Sequence, residues 1–201
     1  NTWRLYNLKS KNIKIKYEVY AFERTVRTSH LDETHATING ASLFLIPSKH
    51  EKEKILINIE PYYKWKVITT TLKKYKGSYD KYVANNYDEL IDSPIELGNH
   101  KTYKFYVGNT PHIYAIIGDG NYDINKIIKD STKIIKSTHK IFKDIPYNEY
   151  IFFLHLTSNQ YGGLEHKNCS MLSFNRLGFK KRKSYIKFLG LVSHEFFHVF
   201  N

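Results

Sequence analysis

The sequence has very little cysteine and no long apolar segment. Cys169 is the single cysteine among 201 residues, so an intrachain disulfide is impossible and a small disulfide-rich scaffold is excluded. No apolar run approaches the ~18 residues that a membrane-spanning helix needs, and the first residues lack the apolar part of a signal peptide. We therefore expect a soluble protein, cytoplasmic or periplasmic, without a membrane partner; the sequence does not specify the compartment.

Acidic residues are scarce as well. Nineteen Asp and Glu residues stand against 31 Lys and Arg, a net charge of +12. The densest basic run is Lys180-Lys181-Arg182-Lys183, and phosphate binding through it would weaken steeply with salt. Its aromatic neighbours fit a helix core as well as base stacking, and no nucleic-acid-binding motif accompanies them. We interpret the run as a solvated loop and expect no nucleic-acid partner; nucleic-acid binding is the weaker hypothesis.

Several short strands are predicted in the first 120 residues. The clearest pattern runs from residue 12 to residue 22, where side chains alternate as in a half-buried strand. Further β-rich runs, separated by Asn-Gly, Pro and charged turns, lie at residues 42–46, 55–59, 65–72, 101–107 and 112–117. Strands without strong helices between them favour an all-β, sandwich-like N-terminal domain over residues 1–120.

The pattern changes after residue 120. A helical face containing Ile127, Ser131 and Ile135 predicts an amphipathic helix, which we expect to end at Pro146. Strand-like runs follow at residues 150–156 and 170–174, and Ser184 could cap a last helix. Residues 121–201 therefore predict helix, strand, strand and helix, and the whole chain an α+β fold of two domains.

The last predicted helix contains His194-Glu195-Phe196-Phe197-His198, a His-Glu-x-x-His sequence. Residues four apart lie on one face of a helix, so both imidazoles can bind the same Zn²⁺. Glu195 would then lie where it can take a proton from a metal-bound water, which makes it the candidate catalytic base. The alternative is a core helix whose histidines only form hydrogen bonds.

A second candidate segment, Gly162-Gly163-Leu164-Glu165-His166, lies between the two strand-like runs. Paired glycines allow another backbone to approach an edge strand closely, and the Glu165 carboxylate could bind an ammonium group. Taken alone, the segment is more simply a glycine turn followed by polar residues. Its functional interpretation depends on the zinc helix.

Together with residues 88–98, DELIDSPIELG, these two motifs resemble the glycyl aminopeptidase family, zinc peptidases of the thermolysin-like group. The resemblance spans most of the chain. It implies a β-rich N-terminal domain followed by a thermolysin-like catalytic domain, after which a PDZ domain is usual. Under this resemblance, residues 121–201 are the opening part of the catalytic domain.

The resemblance also implies roles for individual residues. His194 and His198 would bind zinc, and Glu195 would be the general base. By similarity to related aminopeptidases, Glu165 would bind the free amino group of a peptide substrate, and Gly162-Gly163 would pair with its backbone. The implied function is hydrolysis of the N-terminal peptide bond of peptides, with small N-terminal residues favoured.

The third zinc ligand departs from the family pattern. In this group it is a glutamate on a helix downstream of His-Glu-x-x-His, and the sequence has three residues after His198. Two imidazoles bind zinc more weakly than three ligands, so we expect a piece of a longer enzyme that is inactive by itself. His155 or His166 is a less favoured third ligand. The alternative function is a non-catalytic β-rich interaction module with a vestigial metal site.

Overall fold

The secondary structure confirms an α+β fold with a β-rich first part. A computed structural model describes residues 2–7, 9–10 and 12–200. The first part of the chain contains β1 (His30–Leu31), β2 (Ala36–Ile38), α1 (Gly40–Leu43), β3 (Ile55–Asn58), β4 (Val67–Thr70), β5 (Lys73–Lys74), β6 (Lys81–Ala84), α2 (Tyr87–Ile91) and β7 (Ile95–Gly98). The second part contains β8 (Lys101–Val107), β9 (Thr110–Ile117), α3 (Ile124–Phe142), β10 (Tyr150–Thr157), β11 (Gly162–Glu165), β12 (Cys169–Asn175) and α4 (Arg182–Phe197).

Two antiparallel sheets form the N-terminal part. Their strand orders are β1-β2-β7-β4 and β3-β6-β5. Apolar side chains from both sheets meet in one core, which includes Ile57 of β3, Tyr82 of β6 and Ile95 of β7. The arrangement is the predicted sandwich, in which each sheet buries one face against the other.

A five-stranded mixed sheet forms the C-terminal part, in the order β11-β12-β10-β9-β8. The central strands β9, β10 and β12 are parallel, and the two edge strands pair antiparallel to them. The predicted strands at residues 101–107 and 112–117 are present, but they belong to this sheet rather than to the N-terminal sandwich. The sheets therefore divide the chain between Gly98 and Lys101, not at residue 120.

The predicted amphipathic helix is α3. Asp123 caps its start, because the Asp123 carboxylate accepts the N–H groups of Asn125 and Lys126. Its buried side chains are Ile127, Ser131, Ile135 and Thr138, which lie on the predicted face. The helix ends at Phe142, before Pro146, because Lys143 adopts a left-handed conformation with φ 57°. In the described part of the chain, no helix is both long and apolar enough to cross a bilayer.

Two predicted strands are wrong. Residues 12–21 contain no strand, and Phe22 forms only an isolated bridge to His30. Alternation favours β structure, but a strand also needs a neighbouring backbone. Strand β1 reaches only the end of this stretch, at Ala21 and Phe22, and Ile13 and Ile15 stay about half exposed. At residues 42–46, helix α1 replaces the start of the predicted strand, because the Asn39 side chain accepts the Ala41 N–H and caps a helical turn.

Candidate functional site

Helix α4 carries the His-Glu-x-x-His motif and packs on the C-terminal sheet. Its side chains Leu191, Val192 and Phe196 are buried in the core of that sheet. Ser184 does not cap the helix as predicted. The Lys181 carbonyl already accepts the Tyr185 N–H, so the first turn begins at Arg182 and Ser184 lies inside it. The core contacts fix which sides of the last two turns face the sheet and which remain accessible.

The two motif imidazoles lie together on the accessible side of α4. The Nε2 atoms of His194 and His198 are 3.4 Å apart, and their ring planes are at 80° to each other. Two nitrogens bound at 2.0–2.1 Å to one tetrahedral zinc ion are about 3.3 Å apart. The pair therefore fits two positions of a zinc coordination sphere.

Among residues 2–7, 9–10 and 12–200, no third metal-binding side chain lies close enough to His194 and His198 to complete a group of three. The Nε2 atom of His155 lies 3.3 Å from a carboxylate oxygen of Glu96. The Nδ1 atom of His166 forms a 2.9 Å hydrogen bond with Asp92. Both imidazoles lie beside carboxylates of the N-terminal part, and in the described residues neither forms a group of three with His194 and His198.

Glu195 is buried against β11. It is only 4% exposed, and its Oε2 atom has no hydrogen-bond partner among the described residues. A Cβ atom at Gly163 would overlap its carboxyl group, so the glycine is what lets the carboxyl approach the strand. Burial raises the pKa of Glu195; the neighbouring imidazoles oppose this shift, and the Glu165 carboxylate adds to it. An unpartnered buried carboxyl is costly, and such groups are common at functional sites.

Strand β11 contains the glycine segment. Gly162 and Gly163 lie within the strand, not in the predicted turn, and pair with Ser173 and Leu172 of β12. The strand lies at the edge of the sheet, as the paired glycines suggested, and its last residue is the exposed Glu165. An edge strand can pair with an extended peptide. A peptide bound there would run alongside the His-Glu-x-x-His helix.

An open cleft of about 960 Å³ lies between β11 and α4. Its walls include Gly163, His194 and Glu195, together with residues 25–27 from the N-terminal part. Residues 25–27 carry no local signal in the sequence that predicts a role at the site, because only the packing of the two parts brings them to the cleft. The cleft unites four of the predicted site residues: Gly162, Gly163, His194 and Glu195. Glu165 and His198 lie outside its lining.

Comparisons with known proteins agree with this architecture. Residues 1–99 match the family described as the Peptidase M61 N-terminal domain. A crystal structure of an aminopeptidase N family protein from Idiomarina loihiensis superimposes with a TM-score of 0.85 at 28% identity, over 91% of this chain and 33% of that chain. Legionella pneumophila aminopeptidase A in complex with aspartic acid superimposes with a TM-score of 0.57 at 12% identity, over 85% of this chain and 23% of that chain, which is a similarity of fold. A search of curated proteins gave no match.

The fold and these similarities define a peptidase-related chain. Within that class, the family match over residues 1–99 and the structural similarity over 91% of the chain confirm the resemblance to the M61 glycyl aminopeptidases. The chain spans about a third of the length of the Idiomarina loihiensis protein.

Proposed function

We propose that the chain is the N-terminal domain and the first zinc-binding helix of a zinc-dependent aminopeptidase, which hydrolyses the N-terminal peptide bond of peptides. The observation that carries this proposal is the 3.4 Å separation of the His194 and His198 nitrogens on the helix that buries Glu195 in the cleft wall. The aminopeptidase descriptions of both similar structures support it.

The zinc-binding residues would be His194 and His198, with a third ligand contributed by the longer protein. Zinc bound there supplies a Lewis acid and lowers the pKa of a bound water to about 7. Glu195 would accept a proton from the attacking water and donate it to the leaving amine. Its burial, which raises its pKa toward neutrality, suits a carboxyl that must both accept and donate a proton.

The peptide substrate would bind along β11. β11 is an edge strand, so one side of its backbone is open to an extended peptide. The space beside Gly162 is also open, since a Cβ atom there would have no neighbour within 4 Å. Glu165, exposed at the end of the strand, provides a carboxylate for the free amino group. We expect peptides with small N-terminal residues to be preferred, and the described chain alone to be inactive because it holds two of the three zinc ligands.

The test is Glu195→Gln in the full-length protein, measured as hydrolysis of a chromogenic amide of a small amino acid and as zinc content. Loss of a general base costs roughly 10²–10⁴-fold in kcat, and the zinc content should not change. Glu53→Gln, which alters an exposed carboxylate far along the sequence from the cleft, is the control and should retain full activity. Wild-type activity of Glu195→Gln would contradict the mechanism.

The glutamate proposed to bind substrate needs its own test. Glu165→Gln should raise KM for substrates with a free amino group and change kcat less, because the group acts in binding. If neither the wild-type protein nor its variants contain zinc or hydrolyse peptides, the non-catalytic interaction module becomes the better hypothesis.

A further inference from the structure

A second group of metal-binding side chains lies in the N-terminal part. His30, Asp32 and His35 sit on β1 and on the turn between β1 and β2, and one ligand atom from each lies within 4.8 Å of the other two. We call these three residues the hairpin cluster. His30 Nε2 lies 3.1 Å from Asp32 Oδ2, and His35 Nδ1 lies 3.5 Å from Asp32 Oδ1. Each imidazole thus lies about as far from one of the two Asp32 oxygens as two ligand atoms of a tetrahedral cation lie from each other, roughly 3.3 Å.

The hairpin cluster is buried and polar. The side chains of His30, Asp32 and His35 are 5%, 17% and 11% exposed. The His30 Nδ1 atom, also buried, has no hydrogen-bond partner in the described part of the chain. Two imidazoles and a carboxylate are the donors that zinc and similar divalent transition cations bind, in contrast to the all-oxygen sites of Mg²⁺ and Ca²⁺.

Asp32 is held in one orientation and kept ionised. Its Oδ1 atom accepts hydrogen bonds from the Thr34 N–H, the Thr34 hydroxyl and the His35 N–H. Burial opposes ionisation, but these bonds, together with those from His30 and Arg24, outweigh it and hold the pKa of Asp32 well below its usual range. Hydrogen bonds of this kind orient the ligands of known metal sites.

A cation already occupies the open side of the cluster. The Arg24 guanidinium contacts Asp32 Oδ2, and its Nε atom donates to His30 Nε2 over 3.2 Å. The same Nε2 atom lies within hydrogen-bonding distance of Asp32, so one tautomer of His30 donates to the carboxylate and the other accepts from Arg24. A metal requires the unprotonated form of this nitrogen. The Arg24 side chain is 54% exposed, so it can leave the cluster toward solvent.

We propose that His30, Asp32 and His35 form a second metal site, which binds a divalent transition cation such as Zn²⁺ in place of the Arg24 guanidinium. The cluster lies where the two parts of the chain contact each other: the ring centroids of His35 and of His155 on β10 are 6.0 Å apart. An ion here therefore crosslinks the β1–β2 turn at the place where the sandwich meets the C-terminal sheet.

The test removes the first pair of imidazoles and asks whether a metal still binds. In full-length His194→Gln/His198→Gln protein, stripped with a chelator, titration with Zn²⁺ or Co²⁺ should give one ion per chain. Adding His30→Gln or His35→Gln should weaken that binding by at least roughly 10- to 100-fold, the loss typical of disturbing a metal site. The matched control is His50→Gln, which removes an exposed imidazole and should change nothing. Absence of an ion in the double variant, or binding that both cluster variants leave unchanged, overturns the proposal.

Arg24→Gln separates a metal site from a purely structural network. If the guanidinium competes with the ion, its removal should tighten Zn²⁺ binding by roughly 10-fold, since a positive charge within hydrogen-bonding distance no longer repels the metal and the group is partly screened by solvent. Any thermal stability lost in this variant should be recovered on adding Zn²⁺. A lower Tm that Zn²⁺ does not restore would show that the cluster only pairs Arg24 with Asp32, and would refute the site.

Discussion

Gly163→Ala should displace the proposed catalytic base, Glu195, and leave the other residues of the site in place. A Cβ atom at this residue overlaps the Glu195 carboxyl group, and ordinary van der Waals contact can be restored only if the carboxyl retreats by about 1 Å or β11 moves away. Gly162→Ala is the control for the position of Glu195, because its Cβ atom has no neighbour within 4 Å. Gly162 borders the proposed peptide-binding edge, so this variant can raise KM but should not displace the carboxyl group. Both variants place an alanine in the same edge strand.

The expected cost follows from the displacement of Glu195. A reacting group misplaced by about 1 Å loses roughly 10²-fold in rate, which corresponds to about 2.7 kcal/mol of transition-state stabilisation. The zinc content should stay at the wild-type value, because the three nearest neighbours of the added Cβ atom all belong to Glu195 and not to the imidazoles. Forced packing of an extra methyl group could also lower stability by about 1–3 kcal/mol.

The assay measures kcat and KM separately for the full-length protein on a chromogenic amide of a small amino acid, with Tm and zinc content measured on the same samples. Gly163→Ala should retain about 1% of the wild-type kcat, while Gly162→Ala should retain most of its kcat and change mainly KM. Equal activity of the two variants, in folded and zinc-loaded protein, would refute the inference that Gly163 positions the base.

Three further predictions concern stability. Asp123→Ala removes the cap of α3 and should cost about 1 kcal/mol in chemical denaturation, whereas Asp119→Ala, at an 89% exposed side chain, should cost less than about 0.5. Phe152→Ala should cost about 3–5 kcal/mol because the ring is fully buried, and Phe22→Ala, 66% exposed, far less; equal losses would contradict the described core. Burial lowers the pKa of His112 to about 4 in the folded protein. As pH falls below about 6.5, the unfolded chain therefore binds a proton at this residue before the folded protein does, and about 3 kcal/mol of stability is lost by pH 4. His112→Phe should reduce this loss; an unchanged pH profile would show that His112 does not cause it.

Local patterns predicted much of the second part of the chain. The periodicity of residues 124–142 correctly indicated both a helix and its buried face, because Ile127 and Ile135 of that face belong to the core of the C-terminal part. The same type of pattern failed at residues 12–22. Alternation describes only the side chains of a strand, whereas a strand also requires a second backbone to hydrogen-bond, and the sequence does not say whether one is nearby.

The boundary between the two parts shows a similar limit. Residues 101–117 were grouped with the strands before them because all are short and β-rich. Their hairpin instead joins β10 through the parallel pairing of β9. Choice of sheet depends on which strands meet in space, and no property of the hairpin itself encodes it.

The candidate site depends partly on local sequence spacing and partly on tertiary contacts. The His-Glu-x-x-His spacing alone determined that two imidazoles and one carboxyl share the end of a helix, since a helix repeats every 3.6 residues wherever it is placed. Only the tertiary structure decided that Glu195 faces a glycine of an edge strand, that residues 25–27 line the cleft, and that His30, Asp32 and His35 meet beside β10. Spacing within one helix is a local, covalent property, whereas contacts between distant segments arise only when the whole chain packs its apolar surfaces together.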